Sequence, residues 1–270
     1  MSTLQDKFAA LKAFIGGFDS AVVAYSGGVD SSLVAFVTAQ TLGSRSLAVT
    51  SGSKSLKRDD LALSGELAER WHMPHRVIVT DELDDPNYRA NPTDRCLYCK
   101  TSLYTHLARI ADDEGFDAIF NGTNVDDLGD HRPGLIAASE HGVRSPLAET
   151  GFNKADIRQL AESLGLENAQ KPQSACLSSR VPYGTAIDED LLGRIERAES
   201  ALLALGFSQF RVRHHGDVAR LELVGTEFEK ALARRDAIVE RIKACGYRFV
   251  ALDLAGFRSG SLNEGIVDKN

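Results

Sequence analysis

The sequence predicts an α/β protein, a parallel sheet with helices on both faces, followed by a small α+β domain. Three observations carry that expectation. Short apolar stretches alternate with stretches of helical period from residue 21 to residue 164, the pattern of β-α-β units. The first unit, AVVAYSGGVDS at residues 21–31, joins a strand to a helix through two glycines. After a polar stretch at residues 167–188, too long for a plain connection, the pattern changes to helix, strand, strand, helix, strand. The expected domains are therefore residues 1–180 and 181–270.

The elements follow in order. Residues 4–15 form an amphipathic helix ahead of the first strand, 21–25, whose run of apolar residues suits burial on both faces. Asp30-Ser31-Ser32 opens a helix reaching about Leu42. Strand 46–51, helix 57–71 and strand 76–80 come next, then a polar loop and helix 97–113. Strand 118–121 ends in the loop GTNVDDLGDHRPG, followed by a short helix at 135–141, an apolar segment at 145–148 and a helix at 154–164. The second domain reads as helix 189–205, strands 209–214 and 219–224, helix 227–244 and strand 248–254.

In a parallel sheet ligands bind beyond the carboxyl ends of the strands. Three polar segments leave those ends: residues 26–31, 51–55 (with Ser53) and 122–132. Ser26-Gly27-Gly28 makes a turn whose backbone N–H groups can approach a phosphate, with the following helix dipole favouring negative charge. The pattern S-G-G-x-D-S lacks the lysine of a Walker A loop. It resembles the PP-loop of ATP pyrophosphatases, which implies ATP with Mg²⁺. Asp30 beside a triphosphate then makes sense as a holder of Mg²⁺ or of a charged partner. Ser26, Ser31 and Ser32 supply hydroxyls to phosphate or metal, at least one of them equally suited to capping the helix. After Gly122, Asp126 or Asp127 can position Mg²⁺ or ribose, or simply be solvated. Lys100 and Arg132 can reach the triphosphate or brace their own surroundings.

Cys96-Leu97-Tyr98-Cys99 is a CxxC at a helix start, where thiol pKa values fall. A structural zinc wants four ligands, and no second CxxC is present. A thioredoxin-type disulfide wants a β-α-β setting that the preceding polar loop does not supply. With Cys176 in the long polar stretch as a third ligand, a [4Fe–4S] cluster with one open iron is a further option. Cys245, late in an amphipathic helix, reads as core. Ser179 and Arg180 follow Cys176 and suit an anionic group. Arg211 and Arg213 alternate on a strand, so both guanidiniums share one face and suit a phosphate.

Composition limits the partners. The 43% hydrophobic content supports a true core, and the net charge of −7 argues against a nucleic-acid partner. Four cysteines in so long a chain fit a reducing cytoplasm better than a disulfide scaffold. No apolar run approaches the roughly 18–20 residues of a membrane span, and residues 2–18 lack the features of a secretion signal.

SGGVDS, Arg95-Cys96…Cys99-Lys100, Cys176…SSRVPYG, RVRHH and LDLAGFRSGSLN together resemble one family over nearly the whole chain. It is the LarE family of ATP-dependent sulfur transferases, which build the nickel-pincer nucleotide cofactor of lactate racemase. The resemblance implies that ATP adenylates each carboxylate of a pyridinium-3,5-biscarboxylic acid mononucleotide, and that sulfur then displaces AMP. In one version of the family a lone cysteine matching Cys176 surrenders its own sulfur. This chain departs from that version in also having Cys96 and Cys99, and resembles the three-cysteine version whose [4Fe–4S] cluster carries a labile sulfide. The resemblance further implies that Arg211 and Arg213 hold the substrate phosphate, that Glu199 helps place a metal or the substrate, and that Arg258 contributes from a neighbouring subunit of a hexamer. A PP-loop tRNA thiolase, an amidotransferase-type ligase and a non-catalytic ATP-binding sensor are the competing readings.

Overall fold

The structure, a computed structural model, describes residues 3–129, 133–172 and 174–258. The chain divides into two compact units: Met1–Tyr88 with Thr93–Ser174, and Arg89–Pro92 with the chain from Ala175 onward.

The first unit is built on four parallel strands, β1 (Ala21–Ala24), β2 (Ser46–Ser51), β3 (His75–Ile78) and β4 (Ala118–Phe120), in the order β3-β2-β1-β4. Both faces of the central strand are buried, which is why its sequence is a continuous apolar run rather than an alternation. Ala21, Val23 and Tyr25 pack into one core with Leu11, Leu33, Leu67 and Ile157. These come from helices α1 (Leu4–Ile15), α2 (Val29–Leu42), α3 (Arg58–Arg70) and a later helix at Lys154–Ser163. Val22, Leu47, Val49 and Ile119 face the other core, against Tyr104 and Leu107 of a long helix at Arg95–Glu114 and Ala137 of one at Pro133–Glu140.

A single turn at Pro86–Arg89 interrupts what the sequence shows only as a polar loop; we label it α4. Asn87 N donates to Asp85 Oδ1 at 2.8 Å just ahead of it. Then come α5 (Arg95–Glu114), α6 (Pro133–Glu140), a turn α7 (Pro146–Glu149) and α8 (Lys154–Ser163). The chain leaves β1 towards β2 and places β4 on the opposite side. The carboxyl ends of β1 and β4 therefore flank the point where strand order reverses, the usual ligand crevice of such sheets.

The second unit holds α9 (Glu189–Ala204) and a three-stranded sheet of β5 (Phe210–His215), β6 (Val218–Leu223) and β7 (Phe249–Leu252). β5 and β6 form a hairpin closed by Gly216-Asp217, with Gly216 at φ +60°. β7 returns parallel to β6. Val212, Leu221, Leu202 and Ile242 form the core. The single helix expected over residues 227–244 is instead two, α10 (Phe228–Ala233) and α11 (Arg235–Ala244). The break is at Arg234, where φ is −106°, and its guanidinium donates to the Leu205 carbonyl at 2.8 Å. Before α9, the chain at residues 181–185 is ordered by Asn91, itself at φ +53°. The Asn91 amide donates to the carbonyls of Pro182 (2.8 Å) and Thr185 (3.1 Å).

Candidate active site

β1 ends at Ala24, and the chain turns through Ser26, Gly27 and Gly28 into α2. Gly27 sits at φ +71°, and a Cβ there would lie 3.2 Å from Ser64 Cβ, so both conformation and space require glycine. No side chain caps α2, which leaves its first N–H groups to serve an anion. Ser31 Oγ accepts from Ser26 N at 3.1 Å, shares a hydrogen bond with Ser26 Oγ at 3.1 Å and donates to Gly28 O at 3.1 Å. The two hydroxyls thus shape the loop as well as being available to it.

Gly122, the second residue after β4, fits against the start of α2. A Cβ on it would stand 2.7 Å from Ser31 N, 2.9 Å from Ser31 Cα and 3.0 Å from the Asp30 carbonyl carbon. Only glycine lets the two loops meet this closely.

Asp30 is ion-paired with Lys154 at the start of α8 through Oδ2, while its Oδ1 is buried without a partner. An unsatisfied carboxylate oxygen next to an anion-binding turn fits the donor set Mg²⁺ asks for. Lys154 N also donates to Asp126 Oδ2 at 2.8 Å, and Asp127 Oδ2 accepts from Asn124 N at 3.1 Å. Asp126 thereby ties its turn to the start of α8, and Asp127 is built into the turn itself through a capping box with Asn124. Ser53 is buried in a cluster with Ser55 and Glu82: its Oγ donates to Glu82 Oε1 and lies 2.8 Å from Ser55 Oγ. Lys100 is exposed on α5, with its ammonium 6.0 Å from the Tyr104 ring centre. Arg132 lies outside the described residues.

Cys96 and Cys99 lie near the start of α5, the former exposed and the latter half-buried; none of the four cysteines is in a disulfide. Cys176 stands at the head of a one-turn 3-10 helix, Leu177–Arg180, in the second unit. Its carbonyl accepts from Ser179 N (3.0 Å), Ser179 Oγ (2.7 Å) and Arg180 Nη1 (3.1 Å). Among the described residues no three His, Cys, Asp or Glu side chains are grouped to hold a metal ion. Cys245 packs at the edge of the second core, where burial pushes its thiol pKa up.

The same unit gathers arginines. Arg180 and Glu199, each almost wholly buried, form a two-pronged pair at 2.8 and 3.2 Å, and Glu199 Oε1 also accepts from Val212 N at 3.1 Å. Glu199 therefore braces β5 and the 3-10 turn. Arg213 pairs with buried Glu222 at 3.0 Å and donates to the Ser179 carbonyl at 2.5 Å. Arg211 shares that face of β5; its Nη1 donates to the Arg258 carbonyl at 2.8 Å and its guanidinium stacks 4.5 Å from the Phe257 ring centre. Burial, with the positive charges of Arg213 and Arg180, pushes the Arg211 pKa down. Arg211 contacts a carbonyl and a ring, and so offers its charge to an anion.

Two residues at this end of the first unit escape sequence reasoning. Lys154 meets Asp30 across 124 residues of chain. Asn168, buried, donates to Gly27 O at 3.0 Å and to Ser32 Oγ at 2.7 Å, across 141 and 136 residues. Nothing local marks either one.

The family model for asparagine synthase matches residues 16–123, the stretch from the end of α1 through β4 that carries the glycine turn. The pyridinium-3,5-bisthiocarboxylic acid mononucleotide synthase of Lactiplantibacillus plantarum is 38% identical over 265 residues, 98% of this chain and 92% of that protein. An uncharacterised protein of Synechocystis is 41% identical over 262 residues, 96% of this chain and 98% of its own length. A probable tRNA sulfurtransferase of Methanobrevibacter smithii matches at 31% over only 72 residues, 26% of this chain and 19% of that protein.

Proposed function

The chain belongs to the LarE family of ATP-dependent sulfur transferases, and from that premise we propose that it converts pyridinium-3,5-biscarboxylic acid mononucleotide to its bisthiocarboxylate. The observation that carries the proposal is the near-complete match to the L. plantarum synthase.

In this reading the glycine turn and the open N–H groups of α2 receive the triphosphate of ATP, with Ser26 and Ser31 beside them. Asp30 would hold Mg²⁺ with the carboxylate oxygen that lacks a protein partner. A substrate carboxylate oxygen attacks the α-phosphorus, and the bond to the bridging oxygen breaks. Pyrophosphate departs with its charge held by the same amides, to which a bound Mg²⁺ would add charge stabilisation. Arg211, with Arg213 behind it, binds the phosphate of the mononucleotide. Glu199 acts on the substrate only through Arg180 and β5, since its carboxylate is already spent on them. A sulfur nucleophile then adds to the adenylated carbonyl, AMP leaves with the electron pair, and the cycle repeats on the second carboxylate.

Cys96, Cys99 and Cys176 would hold a [4Fe–4S] cluster, which when bound supplies a labile sulfide. Thiols are the donors such a cluster takes, and none of the three is in a disulfide. The same family reading gives a cytoplasmic homo-oligomer, a hexamer, with Arg258 reaching a neighbouring subunit's site. Among the described residues no helix is long and apolar enough to cross a membrane.

The test is pyrophosphate release by anaerobically purified protein, with and without the pyridinium substrate, together with iron and sulfide analysis. Substrate-dependent release with a full cluster complement supports the reading. ATP binding without substrate-dependent release would leave a nucleotide sensor. Loss of one sulfur from Cys176 per turnover would replace the cluster with the sacrificial route.

A further inference from the structure

Asn168 stands at the head of the polar stretch that runs on to Cys176, and its side chain is 4% exposed. Its amide nitrogen spends both hydrogens on the phosphate-binding turn, at Gly27 O and Ser32 Oγ. Its own Oδ1 is buried with no partner. The reverse orientation of the amide would set two acceptors 3.0 Å apart at Gly27 O, so this side chain is there to donate.

The stereochemical consequence falls on one peptide. The Gly27–Gly28 peptide is planar and trans, so fixing the Gly27 carbonyl inward forces the Gly28 N–H outward. Gly28 N indeed points that way, donating to Ser26 Oγ over a long 3.4 Å, and Ser26 is exposed. Glycine on both sides makes this peptide unusually free to flip. The flipped form would turn a carbonyl oxygen towards the phosphates and leave an N–H buried.

We infer that Asn168 is a positioning residue for ATP: it locks the Gly27–Gly28 peptide with its N–H facing the nucleotide's phosphates. The inference rests on the ATP-dependent part of the function above and is independent of the sulfur source.

The test is ATP binding by calorimetry for the full chain and its Asn168→Ala and Asn168→Asp variants. Asn168→Asp keeps size but puts an acceptor against the Gly27 carbonyl. It should weaken ATP binding at about pH 8 by at least about tenfold, more than Asn168→Ala does, because a lost hydrogen bond becomes a repulsion. Burial raises the pKa of the introduced carboxyl, so lowering the pH towards about 6 protonates it and restores a donor. The deficit relative to wild type should shrink over that range for Asn168→Asp alone. Wild-type affinity in both Asn168 variants, or a pH-independent deficit of equal size in both, overturns the inference. Should both variants fail to fold, a structure of the wild type with a non-hydrolysable ATP analogue decides. Gly28 N within hydrogen-bond distance of a phosphate oxygen and Gly27 O still on Asn168 upholds the inference, and a flipped peptide overturns it. A wild type that does not bind ATP would overturn the functional reading itself, which separates the two failures.

Discussion

Replacing Gly122 with alanine adds one methyl group where the second residue after β4 meets the first turn of α2. The new carbon would stand 2.7 Å from Ser31 N, 2.9 Å from Ser31 Cα and 3.0 Å from the Asp30 carbonyl carbon. A carbon needs about 3.5 Å from such atoms, so the two backbones must part by roughly 0.5–0.8 Å. These are main-chain atoms and have no rotamer through which to escape. Overpacking of this kind costs about 1–3 kcal/mol, or about 2–4 °C of melting temperature for each kcal/mol in a protein of this size. The larger effect falls on chemistry. Ser31 and Asp30 belong to the phosphate turn, and a shift approaching 1 Å in a reacting group costs about a hundredfold in rate. Thermal melts and steady-state pyrophosphate release, run side by side, separate the two effects. We expect a modest drop in melting temperature and a fall in kcat/KM for ATP of about a hundredfold. An unchanged kcat/KM for ATP would refute the claim that Gly122 sets the position of the Ser31 amide.

Three other outcomes are expected. Burial pushes the Asp60 carboxyl up, but the hydrogen bonds from Lys171 (2.8 Å) and Ser174 (2.6 Å) and the charge of Lys171 outweigh it and hold its pKa below the usual range. The stability it contributes is therefore present above the ordinary carboxyl pKa and lost as the pH falls through the depressed one; the gap in melting temperature between wild type and Asp60→Asn should close on acidification below about pH 4. Glu199→Ala leaves the Arg180 guanidinium, 3% exposed, without its carboxylate, and should cost about 3–5 kcal/mol in denaturant unfolding, whereas Asp236→Ala, which removes an exposed pair with Arg235, should cost under about 1 kcal/mol. Cys176→Ala should leave pyrophosphate release near normal and abolish thiocarboxylate, as followed by mass spectrometry; a variant still making thiocarboxylate at the wild-type rate removes Cys176 from the sulfur-transfer step.

The parallel sheet was legible because its chemistry is local. β1 reads as a run of five apolar residues since both its faces are covered, and the glycine turn after it follows from its own residues. The positive φ of Gly27 is the kind of conformation a glycine in such a turn announces. The second unit's helix–hairpin–helix–strand order was legible for the same reason, and the one misplaced feature, the break at Arg234, depends on a carbonyl 29 residues away. What the sequence withholds is every contact made at long range. Asp30 reads as a metal ligand or an ion-pair partner, and only the fold supplies Lys154. Glu199 reads through family resemblance as a metal or substrate contact, yet the fold consumes its carboxylate on Arg180 and Val212. Asn168 lies in a polar stretch of Asn, Gln, Lys and Ser where nothing distinguishes it until the chain brings it back to Gly27.

The claim at the centre of this account is that ATP cleavage at the glycine turn drives the exchange of carboxylate oxygen for sulfur. The most direct measurement is mass spectrometry of pyridinium-3,5-biscarboxylic acid mononucleotide after anaerobic incubation with the protein, ATP and Mg²⁺, alongside AMP and pyrophosphate. The account predicts one sulfur gained at each carboxylate, with one AMP and one pyrophosphate formed per exchange, and no product when Asp30 is replaced by alanine. An unaltered substrate beside ATP that is bound but intact would contradict it.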